Sequence, residues 1–486
     1  MPHRPLLWHR FAVAFSAVAL AAAGCKPHGH GATAPTPTPG VTAVPAGFST
    51  NPYCTTGVLC STLPQDILPT PGCDMANQQC SRDFWSWQTF VSLNWPGTVT
   101  GDKVVRPDPR LPVSGPGNRV WELWMDPDSV FLPNAVTPVW TPDQSLPHPC
   151  AAGSSGRAIV GRLAKASVAL GKVDPNNFFE ATIHQPLIDQ NLEFVLFEIR
   201  MSQKEVEWVV TNNLYQQEAV NALKTSLQFP DDAIEAKAAW RILPASMPAA
   251  QKARYYREAA TIILDPQHVE GGGTGPVCIS RELGLVGLHI RSGRNGFWST
   301  FEQIDNVTAN GPGFQPTFNN PACPTCKVNF PPTYPGGRPI FSDEYKWKLN
   351  GPSAGLYKGF PNVPAQIARA PHQDEYINKV LNAWWQQSVL KGTVWANYML
   401  ITTNWIELAS SQPSPALNTA LEPYIPRATQ FPQTCIECHR MAKNGNNAAL
   451  GESFMPFRAC PKKPMPGQTL PPNCVLGAVD TLATHN

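Results

Sequence analysis

Near the C-terminal end of the chain, two cysteines and a histidine are spaced as Cys435-x-x-Cys438-His439. Thiols two residues apart can each add to one vinyl group of a single porphyrin, and the following residue can then bind the iron through its imidazole. The motif therefore predicts one covalently attached haem c, with Cys435 and Cys438 as attachment residues and His439 as proximal iron ligand. A zinc half-site would require a second ligand pair at regular spacing downstream, and none follows. A thioredoxin-like redox pair would lack the adjacent histidine.

The N-terminus has the pattern of a bacterial export signal. Arg4 and Arg10 precede an apolar stretch at 11–23, which is too short to span a membrane comfortably. The stretch ends in small residues followed by Cys25, as in a lipobox whose cysteine becomes the lipid-modified N-terminus after cleavage. Ala22 stands where a larger aliphatic residue is usual, so ordinary cleavage nearby is the alternative.

These features predict how the exported protein is held. We expect residues 1–24 to be a signal peptide and residues 25–50 to be a lipid attachment site and tether. The tether contains a Pro/Thr run at 34–39, whose composition cannot bury a core and stays extended. The predicted location is the periplasm, with the lipid on Cys25 as the anchor to the cell envelope membrane.

The rest of the sequence is typical of a globular protein. Hydrophobic residues make up 42% of the chain and charged residues 15%, with a formal net charge of +2. No basic stripe occurs, which argues against nucleic acid as a partner. We predict an α+β body at residues 51–390 and a haem c-binding region at residues 391–486.

Cysteine usage supports export. The chain has 13 cysteines, and an even number remains after Cys25, Cys435 and Cys438 are set aside. In an exported protein such cysteines form disulfides. The predicted pairs are Cys54–Cys60, Cys73–Cys80, Cys460–Cys474, a long-range Cys150–Cys278 and a small loop closed by Cys323–Cys326. A second haem on Cys323 and Cys326, with Lys327 as ligand, is the alternative for that last pair.

Periodicity predicts a mixed fold. Apolar residues at helical spacing predict helices at 81–95 and 377–384, and residues 394–409 fit either a helix or a strand. Short apolar or alternating runs predict strands at 194–200, 206–210, 234–242, 255–264, 285–291 and 297–304. The predicted class is α+β: a β-rich central body with an antiparallel sheet, flanking helices and a C-terminal haem-binding segment. The 52 prolines and 35 glycines imply many loops.

Several sequence blocks carry a family resemblance. They are WQTFVSLNWP at 87–96, VWELW at 120–124, IEAKAAWRIL at 234–243, GLVGLHI at 284–290 and FWSTFEQIDNV at 297–307. Together with the terminal C-x-x-C-H they resemble exported bacterial cytochrome c family proteins with a single C-terminal haem motif. The resemblance spans roughly residues 80 to 445. It implies haem binding and electron transfer, and it implies no particular substrate.

The sixth iron position separates a carrier from an enzyme, because a bound methionine or histidine favours electron transfer and an open position permits oxygen or peroxide chemistry. Met455 lies between Phe454 and Phe457, which suit a haem edge, although it can equally fill a core. His289 is predicted on a strand with Arg291 two residues on, where the arginine would pair with a haem propionate. A structural role is the alternative for this histidine. Further candidates are His148, His184, His268, His372 and His485.

The sequence therefore supports two main functions. The first is electron transfer through one covalent haem to redox partner proteins that the sequence does not identify. The second is a haem-dependent oxidoreductase (an oxidase, peroxidase or dioxygenase) with an open iron site. It is supported by a chain much longer than the roughly 100 residues that a small carrier domain needs. A haem-bearing sensor or a subunit of a larger complex is a third interpretation.

Overall fold

The computed structural model describes most of the chain between residues 48 and 474. The described ranges are 48–73, 78–142, 157–160, 185–264, 266–275, 277–337, 340, 344–355, 363–369, 374–405, 417–424, 434–465, 468, 470 and 474. The chain divides into two units, Met1–Ala43 and Val44–Asn486, and all of these ranges belong to the second. The predicted signal peptide, Cys25 and the Pro/Thr run lie outside them.

A β-sheet forms the centre of the second unit. A small hairpin of β1 (Gly97–Val99) and β2 (Val105–Pro107) stands apart from it. The seven strands that the structure describes in the main sheet are β3 (Arg157–Val160), β4 (Val195–Met201), β5 (Ile234–Ile242), β6 (Arg257–Leu264), β7 (Val277–Ser292), β8 (Trp298–Gln303) and β9 (Tyr398–Asn404).

The long strand β7 organises this sheet. It pairs with β5 along one edge, and along the other edge its first half pairs with β6 and its second half with β8. Strand β4 extends the sheet beyond β5, and β9 extends it beyond β8. These pairs are antiparallel, whereas β3 lies parallel to β6. The predicted antiparallel sheet is thus confirmed, with one parallel pair at its edge.

Short helices surround the sheet. The described α-helices are α1 (Gln78–Leu93), α2 (Pro127–Val130), α3 (Gln203–Thr211), α4 (Gln217–Ala222), α5 (Ala249–Lys252), α6 (Lys379–Trp384), which continues into a π-turn at Trp385–Val389, and α7 (Cys435–His439). Single 3₁₀ turns occur at Val120–Leu123, Pro133–Ala135, Pro266–His268, Arg294–Gly296, Val394–Asn397 and Met455–Arg458. The α+β class with a β-rich body is confirmed. Within the described ranges, no helix has the length and apolarity needed to cross a membrane.

One face of the sheet carries an aromatic core beneath α1. Phe90 stacks on Phe301 of β8 with ring centres 4.2 Å apart, and Trp87 stacks on Trp385 at 5.5 Å. Large aromatic side chains each bury roughly 150–250 Å² and dominate core energetics. This cluster therefore fixes α1 on the sheet.

The opposite face of the sheet is polar but also buried. Ala236 and Ala238 of β5 point into the aromatic core, so Glu235 and Lys237 between them point the other way. The segments 417–424 and 434–465 cover this polar face, where Asn418 donates hydrogen bonds to Thr300 Oγ1 and the Phe301 carbonyl. The alternating strand at 234–242 is thus covered on both sides.

Most of the secondary-structure predictions are confirmed, and one strand prediction is wrong. The helix predicted from residue 81 is confirmed, although α1 begins at Gln78. Strands β4 to β8 are confirmed at their predicted runs, although β7 begins at Val277, eight residues before the predicted start. The strand predicted at 206–210 is wrong, because these residues belong to helix α3. Glu205, Val206, Trp208 and Val209 are buried at helical spacing, which outweighs the strand preference of the valines. The undecided stretch from 394 is a 3₁₀ turn followed by β9.

The cysteine predictions are largely confirmed. The described disulfides are Cys54–Cys60, Cys73–Cys80, Cys323–Cys326 and Cys460–Cys474. Cys278 is also disulfide-bonded, and its predicted partner Cys150 lies outside the described residues. The C-x-x-C pair followed by Lys327 therefore closes a small loop, as predicted.

Candidate functional site at the C-x-x-C-H motif

The motif forms the short helix α7, which lies across the ends of β8 and β9. The Cys435 amide donates a hydrogen bond to Asn404 Oδ1 at 3.0 Å, and Asn404 is the last residue of β9. At the other end of the helix, the His439 ring lies against Trp298, the first residue of β8. Trp298 and Asn404 are direct cross-strand partners, so one row of the sheet holds both ends of α7. The side chain of Cys438 lies outside the described part of this helix.

The His439 ring is oriented by the segment that follows it. Its Nδ1 lies 3.0 Å from the carbonyl oxygen of Glu452. A carbonyl oxygen can only accept, so Nδ1 carries the proton, and in the neutral ring Nε2 is then the nitrogen with the lone pair that a metal requires. The Phe454 ring packs edge-on against the histidine at 5.0 Å. Metal-binding histidines generally show this arrangement, in which the second nitrogen bonds a backbone carbonyl or a carboxylate.

Arg291 lies next to Trp298 in the same row of the sheet. It pairs with Glu235 on one side and with Trp298 on the other. Its guanidinium is 3.5 Å from the Phe229 ring centre and 5.1 Å from that of Trp298, and Nη2 donates to the Gly451 carbonyl. Burial lowers the pKa of Arg291 to about 10. The fully buried Arg291 side chain thus lies on the strand next to Trp298, whose ring contacts His439.

Acidic groups surround this arginine. The Glu235 carboxylate lies 3.0 Å from Lys237 Nζ and accepts a hydrogen bond from Ser453. Burial alone would raise the pKa of Glu235, but the charges of Lys237 and Arg291 outweigh it and hold the pKa below its usual value. On the neighbouring helix α3, burial raises the pKa of Glu205 well above its usual value, and the Glu235 charge adds to the shift.

The residues around His439 fit a haem. A haem needs an unprotonated imidazole nitrogen and donors for two acidic propionates. His439 Nε2 supplies the first, because Nδ1 is engaged by Glu452. Arg291 Nε and Nη1 and Trp298 Nε1 are buried donors that meet no acceptor among the described residues. Buried donors are nearly always satisfied, so orphaned ones indicate a partner such as a carboxylate.

The two predicted sixth ligands lie in different surroundings. The His289 Nε2 is 3.2 Å from Glu422 Oε2, in the segment that covers β7 and β8. Met455 is 1% exposed and packs in an apolar cluster with Phe131 and Leu450. Of the further histidines, His268 lies in a 3₁₀ turn, and His148, His184, His372 and His485 lie outside the described residues.

No protein-family model, curated protein or solved structure matches the chain. The likeness to exported cytochrome c proteins therefore stays a prediction from the sequence blocks. Two of those blocks contribute residues beside Arg291, because its cross-strand partners are Glu235 and Trp298.

Sequence reasoning found the motif but missed its supports. Asn404 and Trp298 are far from the motif in sequence, and only the strand register brings them to its two ends. The Glu452 carbonyl is a backbone group, so the identity of the side chain at that position does not indicate its role. Arg291 is predicted as a propionate partner, and two of its buried donors, Nε and Nη1, meet no acceptor among the described residues.

Proposed function

We propose that the protein is an exported haem c protein that transfers electrons through one haem attached to Cys435 and Cys438, with His439 as proximal ligand. The observation that carries this proposal is the contact of His439 Nδ1 with the Glu452 carbonyl, which places the proton on Nδ1, as in metal-binding histidines whose second nitrogen bonds a backbone carbonyl. A bound haem would supply a one-electron iron couple, whose potential the surrounding protein sets.

The protein's own residues would then position the group. Asn404 caps the start of α7, and Trp298 packs against the histidine at its end. The orphaned donors of Arg291 and Trp298 would bind a propionate by charge-assisted and neutral hydrogen bonds. This low-dielectric setting favours a stable, well-oriented centre, as electron transfer requires.

Location and partners follow from the same proposal. Four described disulfides support an oxidising compartment such as the periplasm. The protein would be held at the cell envelope membrane by lipid on Cys25, and its partners would be redox proteins rather than nucleic acid. Changing Cys25 to serine should release the protein from the membrane fraction. A wild type that is already released after export would contradict the anchor.

A second candidate is a haem-dependent oxidoreductase with an open iron site. The observation that favours it is that His289 contacts Glu422 and Met455 packs in an apolar cluster. Optical spectra separate the two functions. Low-spin ferric iron that is unaffected by cyanide or carbon monoxide supports a carrier, and high-spin iron that binds them supports the oxidoreductase.

The central test is covalent attachment of haem. The variant in which Cys435 and Cys438 are both alanine should lose haem staining on a denaturing gel. The matched control changes Cys323 and Cys326 to alanine, which opens the other C-x-x-C loop and should keep the staining. Staining that survives the first change but not the second would overturn the proposed attachment site.

A further inference from the structure

A cavity opens at the surface beside the start of β6, away from the candidate haem site. Its volume is about 610 Å³, within the range of small-molecule sites. The walls come from β6, from the segment 113–119 and from the turn at 392–395. Arg257 in this wall pairs with Gly284 of β7, and Arg291 lies roughly 23 Å further along β7 at the rise of an extended strand. The cavity is therefore a separate site.

A tyrosine hydroxyl in the wall lies between two carboxyl groups. The Tyr256 oxygen is 2.8 Å from Glu122 Oε2 and 2.7 Å from Glu258 Oε1. Burial, together with the charges of the two carboxyl groups, raises the pKa of Tyr256 well above its usual value, so the hydroxyl keeps its proton. It has only this one proton and can donate to only one of the two carboxyl groups. Glu122 is 3% exposed, whereas Glu258 is half-buried at the cavity.

The other charged groups at the wall already have partners. Arg257 Nη1 and Lys252 Nζ each lie 2.8 Å from a carboxylate oxygen of Glu282. Arg119 donates hydrogen bonds to backbone carbonyl groups and to the tyrosine hydroxyl. Among the described residues, no lysine or arginine lies within ion-pair distance of Glu258. Glu258 is therefore the group in this wall that calls for a cationic hydrogen-bond donor.

Apolar side chains accompany this carboxylate. The Tyr256 ring stacks on Trp395 with ring centres 4.8 Å apart, and Val113 and Val394 belong to the same wall. A site with an apolar wall and a single unpaired charge favours a ligand that combines an apolar body with the opposite charge. Glu258 is the negative group here, so the ligand is a cation.

We propose that this cavity binds a small organic amine, whose ammonium group pairs with Glu258 and whose apolar body contacts the valines. The inference goes beyond the proposed haem function and does not depend on it. A primary ammonium group would donate the hydrogen bond that the Tyr256 hydroxyl cannot give to both carboxyl groups. A neutral ligand would leave Glu258 without a cation, and an anion would be repelled.

The test is a calorimetric titration of the purified protein with phenethylamine, which joins a primary ammonium group to an aromatic ring. Glu258→Gln keeps the shape of the side chain but removes its charge, so it should weaken binding by about tenfold or more. 2-Phenylethanol and phenylacetate have a similar body without the positive charge, and they should bind wild type more weakly by a similar factor. Unchanged affinity in Glu258→Gln, equal affinities for the three probes, or no binding of the amine would overturn the proposal.

Two further variants guard the result. Glu207→Gln is the control, because Glu207 on α3 has a 44% exposed side chain and pairs with Lys204, so this variant should bind like wild type. Ala253 is an exposed residue of the cavity wall, and Ala253→Trp should weaken binding by filling the space while Glu258 stays intact. Amine bound to a haem iron would instead shift the optical spectrum and persist in both cavity variants. That outcome would overturn the cavity site and leave the proposed haem function standing.

Discussion

Trp298 and His439 are in ring contact, with their centres 3.9 Å apart and their planes inclined at 39°. Trp298 begins β8, and His439 ends the motif helix. The contact links β8, which pairs with the long strand β7, to His439, the residue predicted to bind iron. The aromatic side chain therefore has both a packing role and a position next to the proposed iron ligand.

Two tryptophan variants separate these roles. Trp298 and Trp385 are both buried, and neither indole nitrogen meets an acceptor among the described residues. Changing either to phenylalanine should lower the free energy of unfolding by about 1–2 kcal/mol, as measured in urea. Only Trp298→Phe should also shift the haem spectrum and midpoint potential, because Trp385 packs on Trp87, away from the motif. Equal spectral shifts in the two variants would contradict this.

Met455→Leu should leave the haem spectrum unchanged. The side chain packs among Phe131, Val130 and Leu450, and leucine has a similar volume, so we expect a loss of stability below about 1.5 kcal/mol. The measurement is the ferric optical spectrum together with carbon monoxide binding to the ferrous protein. Loss of a thioether–iron charge-transfer band in this variant would show instead that Met455 is the sixth ligand.

Asp83 should make stability pH-dependent. This residue of α1 is buried, and burial raises its pKa to about 7, although Gln79 donates a hydrogen bond to it at 2.8 Å. Its unfolded pKa is about 3.9. The native state therefore retains a proton that the unfolded chain has lost, and this stabilisation disappears as the pH rises towards about 7. Wild type should lose about 2–4 kcal/mol between about pH 4 and about pH 7 relative to Asp83→Asn.

The measurement for Asp83 is urea unfolding of both proteins across this pH interval. Asp66→Asn is the control, because the Asp66 side chain is 74% exposed and its variant should keep the wild-type slope. Parallel curves for wild type and Asp83→Asn would show that Asp83 is ionised in the folded protein.

The disulfides should differ in what they contribute. Cys460–Cys474 spans a sequence separation of 14, whereas Cys323–Cys326 spans 3. Loop-closure entropy then predicts a loss of about 3 kcal/mol when the first pair is changed to serine and about 2 kcal/mol for the second. Urea unfolding under non-reducing conditions tests this order. A larger loss for the short loop would mean that native-state contacts, rather than the unfolded chain, decide the effect.

The sequence predicted the sheet better than it predicted what covers the sheet. The alternation at 234–242 correctly indicates a strand with polar residues on one face. Alternation suggests that this face meets water, but Glu235 and Lys237 are buried under segments from more than 170 residues further along the chain. Strand periodicity reports the two faces of one strand, and it carries no information on distant segments.

The candidate site likewise combines residues that the local sequence predicts with residues that it does not. Local spacing predicts Cys435 and His439 as site residues, because the proposed haem attachment requires residues that are close together in the sequence. The supports Trp298 and Asn404 depend on pairing between β8 and β9, which are separated by a long stretch of chain. Nonlocal pairing of this kind is not encoded in any short motif. The buried acid Glu205 was also missed, because the residues that follow it, 206–210, are predicted as a strand, whereas they belong with Glu205 to helix α3.

The carbonyl of Glu452 comes after the motif, in a segment attached to distant parts of the chain. Leu450 forms a parallel bridge with Leu227, and Cys460 forms one with Gln216. During synthesis the motif therefore leaves the ribosome before Glu452, whose carbonyl orients His439. The C-x-x-C-H sequence by itself therefore lacks the group that orients its histidine. A chain that ends soon after His439 would contain the complete motif, but its imidazole would not be aligned. Alignment of the proposed iron ligand would be among the last events of synthesis and export.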